Sequence, residues 1–296
     1  MSCRWPEFGG GIGLSEALRQ GRRYLTEVAP CCDTPGLDAE LLLMHLLQID
    51  RIALLTDRSR NLTAGEADCY GQFLKRRAAG EPVQYIQGYC EFMSLAFQVN
   101  AHTLIPRPDT EVLVETALEI ASAWRRPKAL ELCTGSGCIA VSLAKYHPSL
   151  HITATDIDYK ALETARINAG TNGAGDRIDW LESDLFGSVP HDRYAMIVSN
   201  PPYISTADME ALAPNVRDHE PHLALHGGGD GLDFYRRITA QAGDYLASGG
   251  LLLFEIGYDQ REAVCGLLRQ HGFTGIQARR DLSGHDRVVL GAWPEG

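Results

Sequence analysis

The sequence predicts an α/β protein, an open doubly wound sheet preceded by a small N-terminal helical domain. Three observations predict it. Apolar residues recur at helical spacing from residue 14 to residue 79, short apolar runs alternate with helical stretches from residue 128 onward, and polar side chains close four of those runs as Glu131, Asp156, Asp184 and Asn200. Ligands of such sheets bind outside the carboxyl ends of the strands, so these four side chains are expected in one crevice.

Segments 14–25, 37–47 and 63–79 read as helices of a small bundle, with Leu41, Leu42, Leu46 and Leu47 in its core. Thr63 followed by Glu66 forms a capping box. Ser15 and Asp38 read as solvated faces of these helices rather than a second active site. Phe92, Leu95, Phe97 and Val99 give residues 90–99 a β-hairpin pattern, so the domains are drawn as 1–89, a hairpin linker 90–105, and 106–296. Asp109 stands where it can cap a helix from Thr110 to about residue 123. Strands follow near 128–132, 151–156, 178–182, 194–199 and 250–256, with helices at 137–146, 158–169, 232–246 and 259–271. Two last strands lie near 273–279 and 287–290, and the glycine run 227–231 reads as a flexible entry to helix 232–246.

The chain has 296 residues, 45% of them hydrophobic and 22% charged, enough to bury one sizeable core and a satellite. Its formal net charge of −11 disfavours a phosphate-tracking surface, and hence nucleic acid as the main partner. Eight cysteines, including adjacent Cys31 and Cys32, form no C-x-x-C pair, and the sequence carries neither a signal peptide nor a long apolar span. Reduced thiols, a cytoplasmic location and no membrane partner are the expectation. His219, His222 and His226 lie close in sequence, but Pro221 interrupts them and no cysteine joins them, so no metal is assigned.

Two loops bear the chemistry. In Glu131-Leu-Cys-Thr-Gly-Ser-Gly137, Gly135 and Gly137 let backbone approach a ligand, and the following helix aims free N–H groups at it. Gly135-x-Gly137-x-x-Ala140 with Asp156 about 20 residues on also satisfies the loose dinucleotide fingerprint, so pattern alone admits NAD. Glu131 argues against a pyrophosphate and for a cofactor bearing an ammonium, which S-adenosylmethionine does. In the second loop, Asn200-Pro-Pro-Tyr203, the prolines hold Asn200 at a strand end. It is either a rigid turn or a cradle for a planar NH2-bearing group, made from the Asn200 amide, the Pro201 carbonyl and the flat face of Tyr203.

These loops, with Ile105-Pro-Arg-Pro-Asp-Thr-Glu111 and Ser183-Asp-Leu-Phe186, resemble the protein-glutamine N5-methyltransferases of the PrmC/HemK family from about Leu14 to Gly291. That family usually has Asp at the position of Glu131 and Gly at that of Cys133; Leu-Cys-Thr-Gly-Ser-Gly occurs in the related ribosomal-protein L3 glutamine methyltransferases. The resemblance implies a Rossmann-like class I methyltransferase sheet ending in an antiparallel hairpin, an N-terminal domain that recognises substrate, and a monomeric enzyme. It implies methyl transfer from S-adenosylmethionine to the glutamine of the Gly-Gly-Gln loop of peptide-chain release factors. Glu131, Cys133, Thr134, Gly135, Ser136, Gly137, Asp156, Asp184, Leu185 and Asn200 would then hold the cofactor. Asn200, Pro201, Pro202 and Tyr203 would hold the acceptor, with Asn200, Pro201 and Tyr203 catalytic. Residues 216–221 would shape the substrate side, and Arg107 and Glu111 either form an ion pair or line the acceptor cleft. The alternatives are an L3 methyltransferase, an adenine-N6 methyltransferase sharing Asn-Pro-Pro-Tyr, an NAD-dependent oxidoreductase and a noncatalytic release-factor binder.

Overall fold

The computed structural model describes residues 11–29, 32–57 and 59–295; Cys31 and the first ten residues of the expected helical domain lie outside them. Two compact units result, one comprising the chain up to Gly88 with Leu212–His219, the other Tyr89–Ala211 with Glu220 onward.

The first unit contains α1 (Leu14–Val28), α2 (Pro35–Leu47), α3 (Arg51–Thr56), α4 (Ala64–Ala78) and α5 (Val83–Gln87). Leu14 and Leu25, Leu42, Leu43 and Leu47, and Tyr70 and Leu74 bury its core; Leu41 and Leu46 pack at its margin. The capping box forms as expected, with Glu66 N donating to Thr63 Oγ1 at 3.2 Å and Thr63 N donating to Glu66 Oε2 at 2.8 Å. Asp38 departs from its expected solvated face. It is buried and accepts from Arg77 Nε at 2.6 Å and from Thr34 Oγ1 at 2.8 Å, because α4 delivers a cation that local periodicity cannot reveal.

The second unit opens with the hairpin β1 (Tyr89–Phe92) and β2 (Leu95–Gln98), then a 3-10 turn, Pro108–Thr110, leading into α6 (Glu111–Ala121). Asp109 lies inside that turn and does not cap α6; its carboxylate meets Arg287 at 2.9 Å instead. There follow β3 (Lys128–Leu132), α7 (Cys138–Tyr146), β4 (His151–Asp156), α8 (Tyr159–Asn172), β5 (Ile178–Glu182) and β6 (Tyr194–Ser199). After α9 (Thr206–Met209), and after α10 (Pro214–Arg217) of the first unit, come α11 (Asp233–Tyr245), β7 (Leu246–Glu255), α12 (Arg261–Gln270), β8 (Thr274–Arg280) and β9 (Asp286–Ala292).

The seven-stranded sheet has the order β5-β4-β3-β6-β7-β9-β8. Strands β3 to β7 are parallel, and β9 runs antiparallel to both of its neighbours. One apolar cluster, including Leu113, Ile139, Val141, Ile152 and Val198, covers one face; another, including Leu130, Leu132, Ile197, Tyr235, Phe254 and Leu268, covers the other. Side chains alternate between faces along a strand, so Glu131 points opposite to Leu130 and Leu132. Register sets Leu132 beside both Thr155 and Ser199, and Ser199 beside Phe254, so the ends of β3, β4, β6 and β7 come out level. Strand order reverses between β3 and β6, where such sheets open a crevice.

Candidate functional site

A cavity of about 310 Å³ opens at that reversal. Its first wall is the loop leaving β3, turned back by Thr134 N donating to the Thr155 carbonyl at 2.9 Å, Gly135 N to Asp156 Oδ2 at 2.7 Å and Gly137 N to the Thr134 carbonyl at 2.9 Å. Cys133 takes a left-handed φ of +63°, which explains why glycine suits this position. Gly135 and Gly137 serve different ends. A Cβ on Gly135 would meet nothing within 4 Å, whereas one on Gly137 would lie 2.9 Å from Ala165 Cβ and 3.1 Å from the Trp180 ring. Gly137 therefore seats α7 against α8 and β5.

Glu131 lies beneath this loop and is 1% exposed. Its Oε2 accepts from Thr134 Oγ1 at 2.7 Å and Ala140 N at 3.0 Å, while its Oε1 has no protein partner. Burial pushes its carboxyl up to about 8. Asp156, at the end of β4, also accepts from Asp158 N at 3.0 Å, and burial raises its carboxyl above the ordinary range. Asp184 is pinned at 2.8 Å by Arg237, and Leu185 turns its backbone through φ +51° to set an apolar side chain in the wall.

The opposite wall comes from β6 and the 3-10 turn. Asn200 Nδ2 donates to Thr110 Oγ1 at 3.3 Å, and Gln260 Nε2 donates to the Tyr203 carbonyl at 2.9 Å. Tyr203 packs on the apolar cluster of the α11–α12 face, and burial pushes its phenol up to about 12, so it stays neutral. The glycine run 227–231 is not a loose entry. A Cβ on Gly227 would come within 2.7 Å of the Pro202 carbonyl and the Tyr203 Cα, and Gly227 N donates to the Ile204 carbonyl at 2.8 Å. The run backs the Asn-Pro-Pro-Tyr loop directly.

Of the residues expected from sequence, Cys133, Thr134, Gly135, Ser136, Asp156, Asp184, Leu185, Asn200, Pro202 and Arg107 line the cavity. Glu131, Gly137, Pro201, Tyr203 and Glu111 are not among its lining residues. Arg107 and Glu111 do not pair with each other. Arg107 pairs with Glu220, whose side chain is 1% exposed, and Glu111 Oε1 accepts from Met93 N at 2.7 Å to close the β1–β2 turn. The sequence did not single out Thr110, Ile157, Leu223, Phe234 and Arg237 on the wall, nor the buried Glu255, while the buried Glu220 falls in the segment 216–221 expected on the substrate side. For Glu255 a signal existed: one carboxylate inside the apolar run Leu251-Leu-Leu-Phe-Glu-Ile256, at a strand end, as with Glu131. Among the described residues, no group of three or more His, Cys, Asp or Glu is arranged to hold a metal, and no helix is long and apolar enough to cross a membrane.

A glycine loop after the first parallel strand, a carboxylate after the second, an amide loop after the fourth and a closing antiparallel strand together define a methyltransferase domain. The family model described as the methyltransferase small domain matches residues 108–227, and the one described as the PrmC N-terminal domain matches residues 16–88. The release factor glutamine methyltransferase of Geobacter sulfurreducens is 44% identical over 282 residues, 94% of this chain and 96% of that protein. That of Koribacter versatilis is 42% identical over 282 residues, 95% and 99% of the two chains. A solved methyltransferase from Pyrococcus furiosus shares the fold, with TM-score 0.51, 17% identity and coverage of 69% of this chain and 91% of that one. The chain belongs to the release factor glutamine methyltransferases.

Proposed function

We propose that this chain transfers a methyl group from S-adenosylmethionine to the side-chain amide nitrogen of the glutamine in a release factor's Gly-Gly-Gln loop. The observation that carries the reading is the meeting, in one cavity, of Asn200 at the end of β6 with the loop over Glu131 and Asp156 at the ends of β3 and β4. The residues fit the cofactor. The unpartnered Glu131 Oε1 suits a cation such as its ammonium, Asp156 retains acceptor capacity for a ribose hydroxyl, and Leu185 offers an apolar surface for adenine. When bound, S-adenosylmethionine supplies an electrophilic methyl on a sulfonium.

The chain's own contribution is orientation. An amide nitrogen is a weak nucleophile because its lone pair is delocalised, so it must be held in line and away from water. Asn200 Oδ1 and the Pro201 carbonyl accept the two amide hydrogens, and the neutral Tyr203 backs the planar group. No side chain need form a covalent intermediate, and Cys133 and Cys138, which line the cavity, are held protonated by burial. Purified protein incubated with labelled S-adenosylmethionine and, in parallel, release factor, ribosomal protein L3 and DNA tests the reading. Label should enter release factor; label only in L3 or DNA moves the assignment there. Calorimetry should show cofactor binding much tighter than NAD, with Asp156→Ala weakening it about 10- to 150-fold, the value of a charge-assisted hydrogen bond.

A further inference from the structure

Register places Glu255 one step beyond the Ser199–Phe254 pairing, beside Asn200. Its side chain is 1% exposed, does not line the cavity, and leaves Oε2 without a partner. The side chains of Thr110 and Asn200 each favour the ionised form of its carboxyl as hydrogen-bond donors. Thr110 stands between the two, its Oγ1 accepting from Asn200 Nδ2 at 3.3 Å. We propose that Glu255, acting through Thr110, is the positioning residue that fixes which end of the Asn200 amide faces the acceptor glutamine. The inference rests on the methyl-transfer reading above for its consequence, but not for its geometry.

Hydrogen-bond polarity sets the orientation of the amide. An ionised carboxylate only accepts, so a Thr110 that stabilises Glu255 spends its single hydroxyl hydrogen there. The Thr110 oxygen can then only accept, which compels Asn200 to turn Nδ2 toward it. Oδ1 is left facing the cavity, the one orientation in which Asn200 can accept a hydrogen from a substrate amide. A protonated Glu255 reverses the relay, because its own O–H now donates and frees the Thr110 hydrogen to reward a flipped Asn200. A flipped Asn200 would present NH2 to NH2.

The groups facing Glu255 are Arg287 and Asp109, themselves paired at 2.9 Å, the Tyr203 and Tyr235 phenols and the Cys138 thiol. Burial, opposed by Thr110, Arg287 and Asn200, pushes Glu255 up to about 7, so the relay switches near neutrality. A raised carboxyl is ionised only above that pH, so turnover should fall on the acid side.

The test compares the full chain with Glu255→Gln, Thr110→Val and Thr110→Ser. Glu255→Gln and Thr110→Val should lower kcat for release factor about 10- to 100-fold, with affinity for S-adenosylhomocysteine within about threefold of the parent. Thr110→Ser, which restores the hydroxyl, should recover most of that loss. The acid limb of kcat near pH 7 should vanish in Glu255→Gln. Independently of turnover, the Asn200 side-chain amide resonances in nitrogen-15 spectra should shift with pH through the same range in the parent and stay fixed in Glu255→Gln. Parental kcat in Glu255→Gln and Thr110→Val, or resonances that titrate unchanged without Glu255, would overturn the proposal. Absence of release-factor labelling by the parent would instead overturn the functional reading, and the resonance titration would still decide the relay.

Discussion

Replacing Glu131 by glutamine separates charge from shape at the floor of the cofactor loop. The amide oxygen can take over from Oε2 as acceptor for Thr134 Oγ1 at 2.7 Å and Ala140 N at 3.0 Å, so the loop should persist. What disappears is the ionisable Oε1, which has no protein partner. In the free protein burial holds this carboxyl at about 8, so at pH 7 roughly nine-tenths of it is protonated. A bound ammonium favours the carboxylate, so cofactor binding at pH 7 should release close to one proton from this site, and affinity should rise with pH until about 8. Losing the charge should weaken binding about 10- to 150-fold above that pH, from the roughly 1.5–3 kcal/mol of a charge-assisted hydrogen bond. Calorimetry with S-adenosylhomocysteine in two buffers of different ionisation enthalpy reads proton release and affinity together. In the free protein the same carboxyl acts on stability. A carboxyl raised from 4.5 to about 8 contributes stability that is present below its ordinary value and lost as pH rises through about 8, so Tm should fall across that window and fall less in Glu131→Gln. A variant that binds with parental affinity and parental proton release would refute the role given to Oε1.

Asn200→Ala should retain the fold and most cofactor affinity while costing at least about 1–3 kcal/mol in the transition state, read as a fall in kcat/KM for release factor. Gly227→Ala pushes a methyl to within 2.7 Å of the Pro202 and Tyr203 backbone; denaturation should show about 1–3 kcal/mol lost, and kcat should drop more than cofactor affinity does. Arg107→Ala leaves the buried Glu220 carboxylate with only the Ile105 N–H at 3.1 Å, and because Arg107 is 36% exposed a loss of about 1–3 kcal/mol is expected, partly recovered by adding Glu220→Gln.

The parts of this fold that local physics dictates were legible in the sequence. Strands β3 to β6 fall within a residue of their apolar runs, and the Thr63 capping box needs only its own four residues. Strand order came from resemblance, because periodicity says nothing about which strand neighbours which. The misreadings share a cause: each polar side chain found a partner distant in sequence. Asp109 went to Arg287 and Asp38 to Arg77, where nearby residues offered plausible local roles as a cap and a solvated face; Arg107, left open between an ion pair and the cleft, lines the cavity and pairs with Glu220. Glycines told little apart by type alone. Gly135 borders open space, Gly137 seats a helix and Gly227 backs a loop, and only the packed structure distinguishes them. Glu255 was embedded in a run that reads correctly as a buried strand, and its carboxylate gains meaning only beside Asn200 and Thr110.

The claim that Asn200 and its loop orient a glutamine amide toward the cofactor methyl is tested most directly by mapping the product. Release factor incubated with this protein and S-adenosylmethionine should, by tandem mass spectrometry, carry a single added methyl on the side-chain nitrogen of the Gly-Gly-Gln glutamine, and a release factor with that glutamine replaced should carry none. A methyl at any other residue, or undiminished methylation of the replaced substrate, would contradict the account.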